Sequence, residues 1–451
     1  MTLRTEIHSH SEYSNLRLLD ATNRLPQLVD YAAEIGLAGI ALTDHETVAG
    51  AVQWKKQEKR IREKYPNFKC IIGNEIYLKK ERDMGRKYPH FILLAKDKEG
   101  FRQLRILSSI AWMNSYFDRR MERVVTLRED IEKIIGGNPG HVIASTACLA
   151  GTVNSNVLVM ENARRVGDLE TAERAKNEII EFVLWCKEIF GEDFYLEVAP
   201  AANKEQIIVN KKVAELSQAF GVKMVIGCDA HYLKKEDAGV HEAFLNSKGG
   251  ERETKDFYEY AYLQTEEEIK ENLTPSIVDL YEDMCANSME IFDKIEDYYL
   301  DYPQQIPKVN VPFVEKGYYT INGVTKEEYP TLYSMGISDD NVERYWLSEC
   351  LDALVKKHLI ADKRYLEELE LEAKIKRIVG ERLKTNMFYY PITLKYYIDM
   401  IWKCGSPVGP GRGSAPTGLN HWLLGITQYD PIKYGQQFRR YMNEGTHELG
   451  E

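Results

Sequence analysis

An α/β fold with a parallel sheet closed as a barrel is the architecture this sequence predicts for its first half. Short apolar runs alternate with amphipathic helical stretches through about residue 230, and repeated strand-then-helix implies parallel pairing. Histidines, carboxylates and a cysteine fall where the apolar runs end, which is where function collects in βα barrels. A hydrophobic content of 44% and a charged content of 29% describe an ordinary globular chain, and 451 residues allow roughly two or three domains with sizeable cores. No internal sequence repeat accompanies the alternation, so a solenoid is not implied.

The first element is Ile7-His-Ser-His-Ser-Glu-Tyr-Ser14. Its histidines, His8 and His10, are one residue apart, so on a strand both imidazoles point to the same side. Such a pair suits one metal site, but alone it also fits a polar strand end. The run Ala38–Thr43 reads as the next strand, followed by a helix from Glu46 to about Lys64. Phe68–Ile72 precedes Gly73-Asn-Glu75, and Phe91–Ala95 precedes a helix over about Lys98 to Met113. Val142–Ala144, a helix from about Leu169 to Phe190, Phe194–Val198, a helix over about Lys204 to Phe220 and Lys223–Ile226 complete the alternation.

Asp44, His45, Glu75, Cys148, Asp229 and His231 all follow predicted strands. Each has a bland alternative: Asp44 as a helix N-cap, Glu75 as a solvated strand residue, Cys148 as a small hydrophobe, His231 as a core histidine. Their joint occurrence at the strand ends of one barrel is harder to explain that way. His90 opens its apolar run and so requires a reversed strand or a loop position.

Together, His8-Ser-His10, Asp20 in Leu-Leu-Asp, Thr43-Asp-His45, Gly73-Asn-Glu75, His90-Phe-Ile-Leu-Leu-Ala-Lys96, Ala147-Cys-Leu-Ala-Gly151 and Asp229-Ala-His231 resemble the polymerase and histidinol phosphatase (PHP) domain. More closely, they resemble its version at the N-terminus of bacterial replicative DNA polymerase III alpha subunits, the C-family polymerases. The resemblance spans about the first 235 residues. It implies a distorted (βα)7 barrel holding up to three divalent ions (zinc, manganese or iron) on His8, His10, Asp20, His45, Glu75, His90, Cys148, Asp229 and His231. Mixed imidazole and carboxylate ligands suit such metals, which can polarise a phosphodiester and lower the pKa of a water. In a polymerase the implied reaction is 3′–5′ exonucleolytic proofreading. Asp44 and Glu197 are candidates for orienting the ligating histidines. Two rival readings are a barrel that uses metal only as a structural scaffold and a stand-alone phosphatase of histidinol-phosphatase type.

From about 236 the alternation gives way to acidic helical sequence, including a segment from Pro275 to Ile295, and the proline-punctuated stretch Asp301–Lys308 marks a boundary. The expected domains are 1–235, the metal-binding barrel; 236–300, its helical extension; and 301–451, the incomplete N-terminal part of an α+β polymerase palm. Helical patterns cover about Asp340–Lys357 and Lys363–Val379. Lys374, Lys376, Arg377, Arg382 and Lys384 read as a solvated face, or else as contacts to backbone phosphates. Phe388-Tyr-Tyr390 and Tyr396-Tyr397 read as core aromatics. In Pro407-Val-Gly-Pro-Gly-Arg-Gly-Ser414, glycines let backbone N–H groups approach an anion while Arg412 adds charge. This stretch resembles the C-family palm motif in which Gly411, Arg412, Gly413 and Ser414 hold the phosphates of an incoming dNTP. Proline at 416 is compatible with a first helical turn.

That resemblance further implies DNA primer–template as partner and magnesium for polymerisation in the completed palm. The family's catalytic aspartates, fingers and clamp-binding parts are expected from a second polypeptide or a missing C-terminal region, so primer extension is not expected from this chain alone. No apolar run approaches the ~20 residues of a membrane span, and the first residues lack a signal segment, so a cytoplasmic location and no membrane partner are expected. The seven cysteines form no CxxC pair, which fits reduced thiols. The net charge of −11 argues against indiscriminate coating of nucleic acid, though not against a local basic channel.

Overall fold

The computed structural model describes residues 2–82, 88–118, 121–248, 258–300, 305–317 and 323–446. The chain forms two compact units, Met1–Leu300 and Asp301–Glu451. In the first, strands β1 (Thr5–Glu6), β2 (Gly39–Leu42), β3 (Lys69–Lys79) and β4 (His90–Ala95) come first in the chain. β5 (Tyr116–Asp118) and β6 (Met121–Arg123) form a separate hairpin, and β7 (Thr126–Leu127) extends the end of β3. β8 (Val142–Ser145), β9 (Phe194–Val198) and β10 (Met224–Ile226) complete a sheet ordered β1-β2-β3-β4-β8-β9-β10. A parallel bridge between Ser9 and Ala230 joins its two ends, with His10 N–H donating to the Ala230 carbonyl at 3.0 Å and Ala230 N–H to that of His8 at 3.2 Å. The sheet is a seven-membered barrel, as the strand-and-helix alternation implies.

One strand departs from the parallel pattern. β4 runs antiparallel to both β3 and β8, pairing Tyr77 with His90 and Ile92 with Ser145. The connection from Lys79 to His90 is too short for a crossover helix, whereas a parallel pairing needs a link of about a dozen residues or more. Reversal puts the first residue of β4 at the same barrel end as the last residues of its neighbours, and this resolves the position of His90.

Period-two alternation sorts side chains to two cores. On β4, Ile92 and Leu94 point into the barrel with Ile7, Ala41, Ile71, Ile143 and Val225, while Phe91, Leu93 and Ala95 face the surrounding helices. The helices Lys98–Met113, Leu169–Phe190 and Lys204–Phe220 have the bounds read from sequence, because each has a side-chain N-cap. Asp97, Asp168 and Asn203 accept from the backbone N–H of Gly100, Thr171 and Gln206. The expected helix from Glu46 begins only at Ala51, and Asp44 is therefore not its N-cap. Helices Leu25–Glu34 and Thr152–Arg165 lie in stretches where none was predicted.

Within the acidic segment, the helix Tyr281–Lys294 closes the N-terminal end of the barrel. Ile291 and Ile295 join the interior cluster, Ser288 Oγ accepts from Thr5 N–H at 3.1 Å, and Asn287 donates to the Met224 carbonyl at 2.8 Å. Glu290 on this helix pairs with Lys294 at 2.9 Å, with Tyr195 Oη at 3.0 Å and with Lys223. Partial burial works against the Glu290 carboxylate, but hydrogen bonds from Lys223, Lys294 and Tyr195 outweigh it and hold its pKa at about 2. A carboxylate whose folded pKa is depressed stabilises above its unfolded value and loses that contribution as pH falls. Glu290→Gln is therefore expected to lower Tm at pH 7, the deficit narrowing between about pH 4.5 and about pH 2; a deficit constant with pH across thermal melts would sink this account.

The second unit packs the helices Pro330–Gly336, Asn341–Lys356, Lys363–Leu383, Tyr389–Lys403 and Leu419–Leu423, with Trp346, Leu351, Leu369, Phe388 and Leu419 in its main core. Its described residues contain no strand. Of the boundary stretch, residues 301–304 lie outside the described residues. The expected solvated face holds in part: Lys374, Arg382 and Lys384 are exposed, but Lys376 is fully buried and Arg377 makes a paired contact to Glu343 at 2.8 and 2.6 Å. Nor are all the aromatics core, since Phe388 is buried but Tyr397 is 53% exposed. Among the described residues, no helix is long and apolar enough to cross a membrane.

Candidate metal centre

The nine predicted ligands come from seven separate stretches of chain and meet at one end of the barrel. Glu75 is their hub. Its carboxylate lies 3.3 Å from His8 Nε2, 3.5 Å from His10 Nε2, 2.6 Å from His45 Nδ1 and 2.8 Å from His90 Nδ1. Asp229 Oδ1 is 3.1 Å from both His8 Nε2 and His10 Nε2. Asp20 Oδ2 reaches His45 Nε2 at 3.0 Å and His231 Nε2 at 3.6 Å, and Cys148 Sγ lies 3.4 Å from His90 Nδ1. All are buried except His90, whose side chain is 17% exposed. Glu75 sits inside β3, not beyond a strand end as the sequence suggested, because β3 continues to Lys79 to pair with β4.

Three groups have donor atoms within 4.8 Å of one another: His10, His45 and His231; His8, His10 and Glu75; Glu75, His90 and Cys148. His10 and Glu75 are each shared between two of the groups. The donors also behave as a set waiting on a cation. Both Glu75 oxygens, Asp20 Oδ1 and His45 Nδ1 are buried without hydrogen-bond geometry to any partner. Leaving a buried carboxylate unsatisfied is costly, and a divalent ion supplies the missing interaction. The donor set fits a divalent metal ion.

Neighbouring groups orient the imidazoles. Glu197 lies 2.6 Å from His8 Nδ1 and accepts from Ser145 Oγ, turning His8 Nε2 toward Glu75 and Asp229. Gly227 permits this approach, since a Cβ there would overlap the Glu197 carboxylate. The His231 Nδ1–H donates to the Asp229 carbonyl at 2.8 Å. Asp44 reaches no imidazole directly: it accepts from Ser11 N–H at 2.7 Å and from Ser14 Oγ at 2.8 Å, and Ser14 Oγ is 3.0 Å from His10 Nδ1. Ser14 is thus a link the sequence reading missed. Glu46 is another, with its carboxylate accepting from Tyr77 N–H at 2.6 Å and burial pushing its pKa up to about 8.

Burial and the facing charges set the electrostatics. Burial, with the imidazoles of His231 and His45, pushes His10 down to about 3, which favours a neutral imidazole. Burial opposes ionisation of Glu75, yet His90, His45 and His8 hold it well below the usual carboxylate range. Asp20 and Asp229 are likewise held low against burial, by His45 and His231 and by His8 and His231 respectively. Backbone strain marks the same place. Of the five described non-glycine residues with positive φ, Glu46, Ala147 and Asp229 adjoin or belong to the ligand set, while His358 and Lys384 follow helix ends. Strain of about 1–3 kcal/mol per residue persists where surrounding structure enforces it, and it clusters at functional sites.

In the second unit, Gly411 and Gly413 have positive φ, and Gly411, Arg412 and Gly413 are exposed with Ser414 partly so. Gln428 N–H donates to the Pro410 carbonyl at 2.9 Å and His421 Nδ1–H to that of Ala415 at 2.7 Å, fixing both ends of the loop. Proline 416 lies in a 3₁₀ turn, Ala415–Thr417, and the α-helix starts only at Leu419.

Residues 6–201 match the PHP domain, and residues 346–450 match the bacterial DNA polymerase III alpha NTPase domain. A DNA-directed DNA polymerase of Bacillus phage SPbeta is 35% identical over 98% of this chain and 35% of its own length. DNA polymerase III subunit alpha of Borreliella burgdorferi is 30% identical, and that of Helicobacter pylori strain 26695 is 29% identical, each over 97% of this chain and 34% of its own length. The barrel is a PHP domain. The whole chain is similar to the N-terminal third of DNA polymerase III alpha subunits, and it spans about a third of the length of the curated relatives it matches.

Proposed function

We propose that this chain is the N-terminal portion of a replicative DNA polymerase of the alpha-subunit type, and that its PHP barrel is a metal-dependent 3′–5′ exonuclease that removes mispaired primer ends. The observation that carries this reading is the convergence of His8, His10, Asp20, His45, Glu75, His90, Cys148, Asp229 and His231 at one barrel end, with four imidazoles within 3.5 Å of the buried Glu75 carboxylate. These nine side chains hold zinc, manganese or iron. Bound there, such ions polarise a phosphoester and lower the pKa of a water. The chain's own contribution is orientation and neutrality: Glu197 and Ser14 aim the imidazoles of His8 and His10, and burial keeps His10 unprotonated.

Gly411, Arg412, Gly413 and Ser414 bind the phosphates of an incoming dNTP, with magnesium serving polymerisation in the whole polymerase on a DNA primer–template. Positive φ at Gly411 and Gly413 turns the backbone as an anion-cradling loop requires, and Arg412 is exposed beside them.

The test is a nuclease assay on a 3′-labelled, mismatched primer–template with Mn²⁺ or Zn²⁺. Stepwise loss from the 3′ end is expected, and His8→Ala and Asp229→Ala should each abolish it. No cleavage by a metal-loaded protein whose stability still depends on metal would make the barrel a scaffold instead.

A further inference from the structure

We propose that Arg17 is the anion-binding arm of the barrel site, holding non-bridging oxygens of the phosphoester whose hydrolysis the ligand cluster carries out. The inference rests on the phosphoester reading above and adds a residue to it. The ligand cluster is rich in negative charge, with Asp20, Glu75 and Asp229 converging on a few ångströms. An anionic substrate entering such a site needs a cation that no protein carboxylate has already claimed.

Arg17 has that character. It lies on the loop tethered at one end by His10 and at the other by Asp20, both ligands, and its N–H closes the 3₁₀ turn Ser14–Leu16. Its guanidinium carbon is 5.3 Å from the centroid of the Tyr77 ring. Tyr77 is two residues beyond Glu75 on β3, hence on the same face. Its ring centroid is 4.9 Å from that of His90 and 5.7 Å from that of His45. One aromatic ring therefore separates the guanidinium from two ligands.

Arg17 Nε is buried and without a hydrogen-bond partner, and Glu46, whose carboxylate feels its charge, forms no ion pair with it. Other buried or half-buried arginines of this unit are committed. Arg4 is bound to Glu6 at 2.9 Å, Arg62 to Asp297 at 2.6 Å, and Arg128 to Glu181 at 2.7 Å. A guanidinium resting on an aromatic ring is weakly hydrated and keeps N–H groups for the planar, bidentate recognition that phosphate oxygens favour. Side-chain exposure is intermediate, so the group can meet a ligand arriving from solvent.

The experiment measures, by calorimetry on the manganese-loaded chain, the affinity for inorganic phosphate, for thymidine 5′-monophosphate and for the diester thymidylyl-thymidine. Wild type, Arg17→Ala and Arg17→Lys are compared, with bound manganese determined for each. Arg17→Ala is expected to weaken binding about tenfold or more, the scale of a charged hydrogen bond, at unchanged manganese content. Arg17→Lys should recover only part, because an ammonium restores charge without the bidentate fork. Loss of affinity for all three ligands means that the arm serves diesters as well as terminal phosphates; loss for the first two alone confines it to terminal phosphates. Equal affinity in Arg17→Ala, loss of manganese in that variant, or a wild type that binds none of the three overturns the assignment. Arg17-dependent binding in a protein that hydrolyses no DNA end would instead sink the exonuclease reading and leave the arm standing.

Discussion

Glu75→Ala is expected to abolish hydrolysis at the barrel site and to reduce the number of ions it retains. The loss in rate should be at least about 100-fold, the upper end of what removing a mere orienting partner costs, because Glu75 is the hub of the cluster. Four imidazoles lie within 3.5 Å of its carboxylate, and it belongs to two of the three donor groups. Alanine at this position leaves His10, His45 and His231 as an intact trio but dismantles the other two groups. Metal analysis of the purified variant should therefore show partial and not complete loss. Glu75→Gln separates charge from shape: the amide is nearly isosteric but brings N–H groups toward imidazole nitrogens that must face a cation. Both variants should retain the barrel, since the β3 hydrogen bonds on either side are backbone pairs. Wild-type rates and metal content in Glu75→Ala would remove the hub from the mechanism.

Much of this site could be read before any coordinates, and the reason is physical. A βα barrel brings strand ends together whatever the intervening sequence, so His45, Cys148, Asp229 and His231 could be assembled from alternation alone. What could not be read was orientation. The reversed β4 was signalled only by an awkward His90 and a link too short for a helix. Asp44 was assigned to histidine orientation, but its contact runs through Ser14, a residue type too common to single out. Glu46, Ala147 and Asp229 adopt left-handed backbone conformations that no residue preference announces. Arg17 depends on the fold placing Tyr77 beneath it, a contact between residues far apart in sequence.

In the second unit, the charged stretch Lys374–Lys384 shows a different failure. Five cations within eleven positions predict a solvated face on periodicity, yet Lys376 lies on the buried side of its helix because Glu372, one turn earlier, is buried with it. Composition cannot distinguish a cation in water from one enclosed with its partner.

That pair also governs the loop proposed to hold nucleotide phosphates, and Glu372→Ala is expected to destabilise the second unit by about 3–5 kcal/mol, the cost of breaking a buried charged partnership from one side. Glu372 accepts from Leu419 N–H at 2.5 Å, Asn420 N–H at 3.0 Å and Asn420 Nδ2 at 2.5 Å. These are first-turn donors of the helix Leu419–Leu423, which has no other source of side-chain capping. Lys376 sits over the Phe438 ring at 5.0 Å. Burial raises the Glu372 carboxyl to about 7 and lowers the Lys376 ammonium to about 8, each opposed by the other's charge. Removing Glu372 alone strands the donors and leaves the ammonium uncompensated. Removing both, in Glu372→Ala with Lys376→Met, should cost less than the sum of the single changes, because the second substitution relieves the charge exposed by the first. Urea unfolding of all four proteins measures this coupling. Hydrogen exchange at residues 410–428 should rise in Glu372→Ala while barrel amides hold their protection, because the helix being capped is the one that anchors the loop through His421 and Ala415. Strictly additive free energies would show that the two charges do not compensate each other, and unchanged exchange in that segment would show that Glu372 caps a helix without holding the loop.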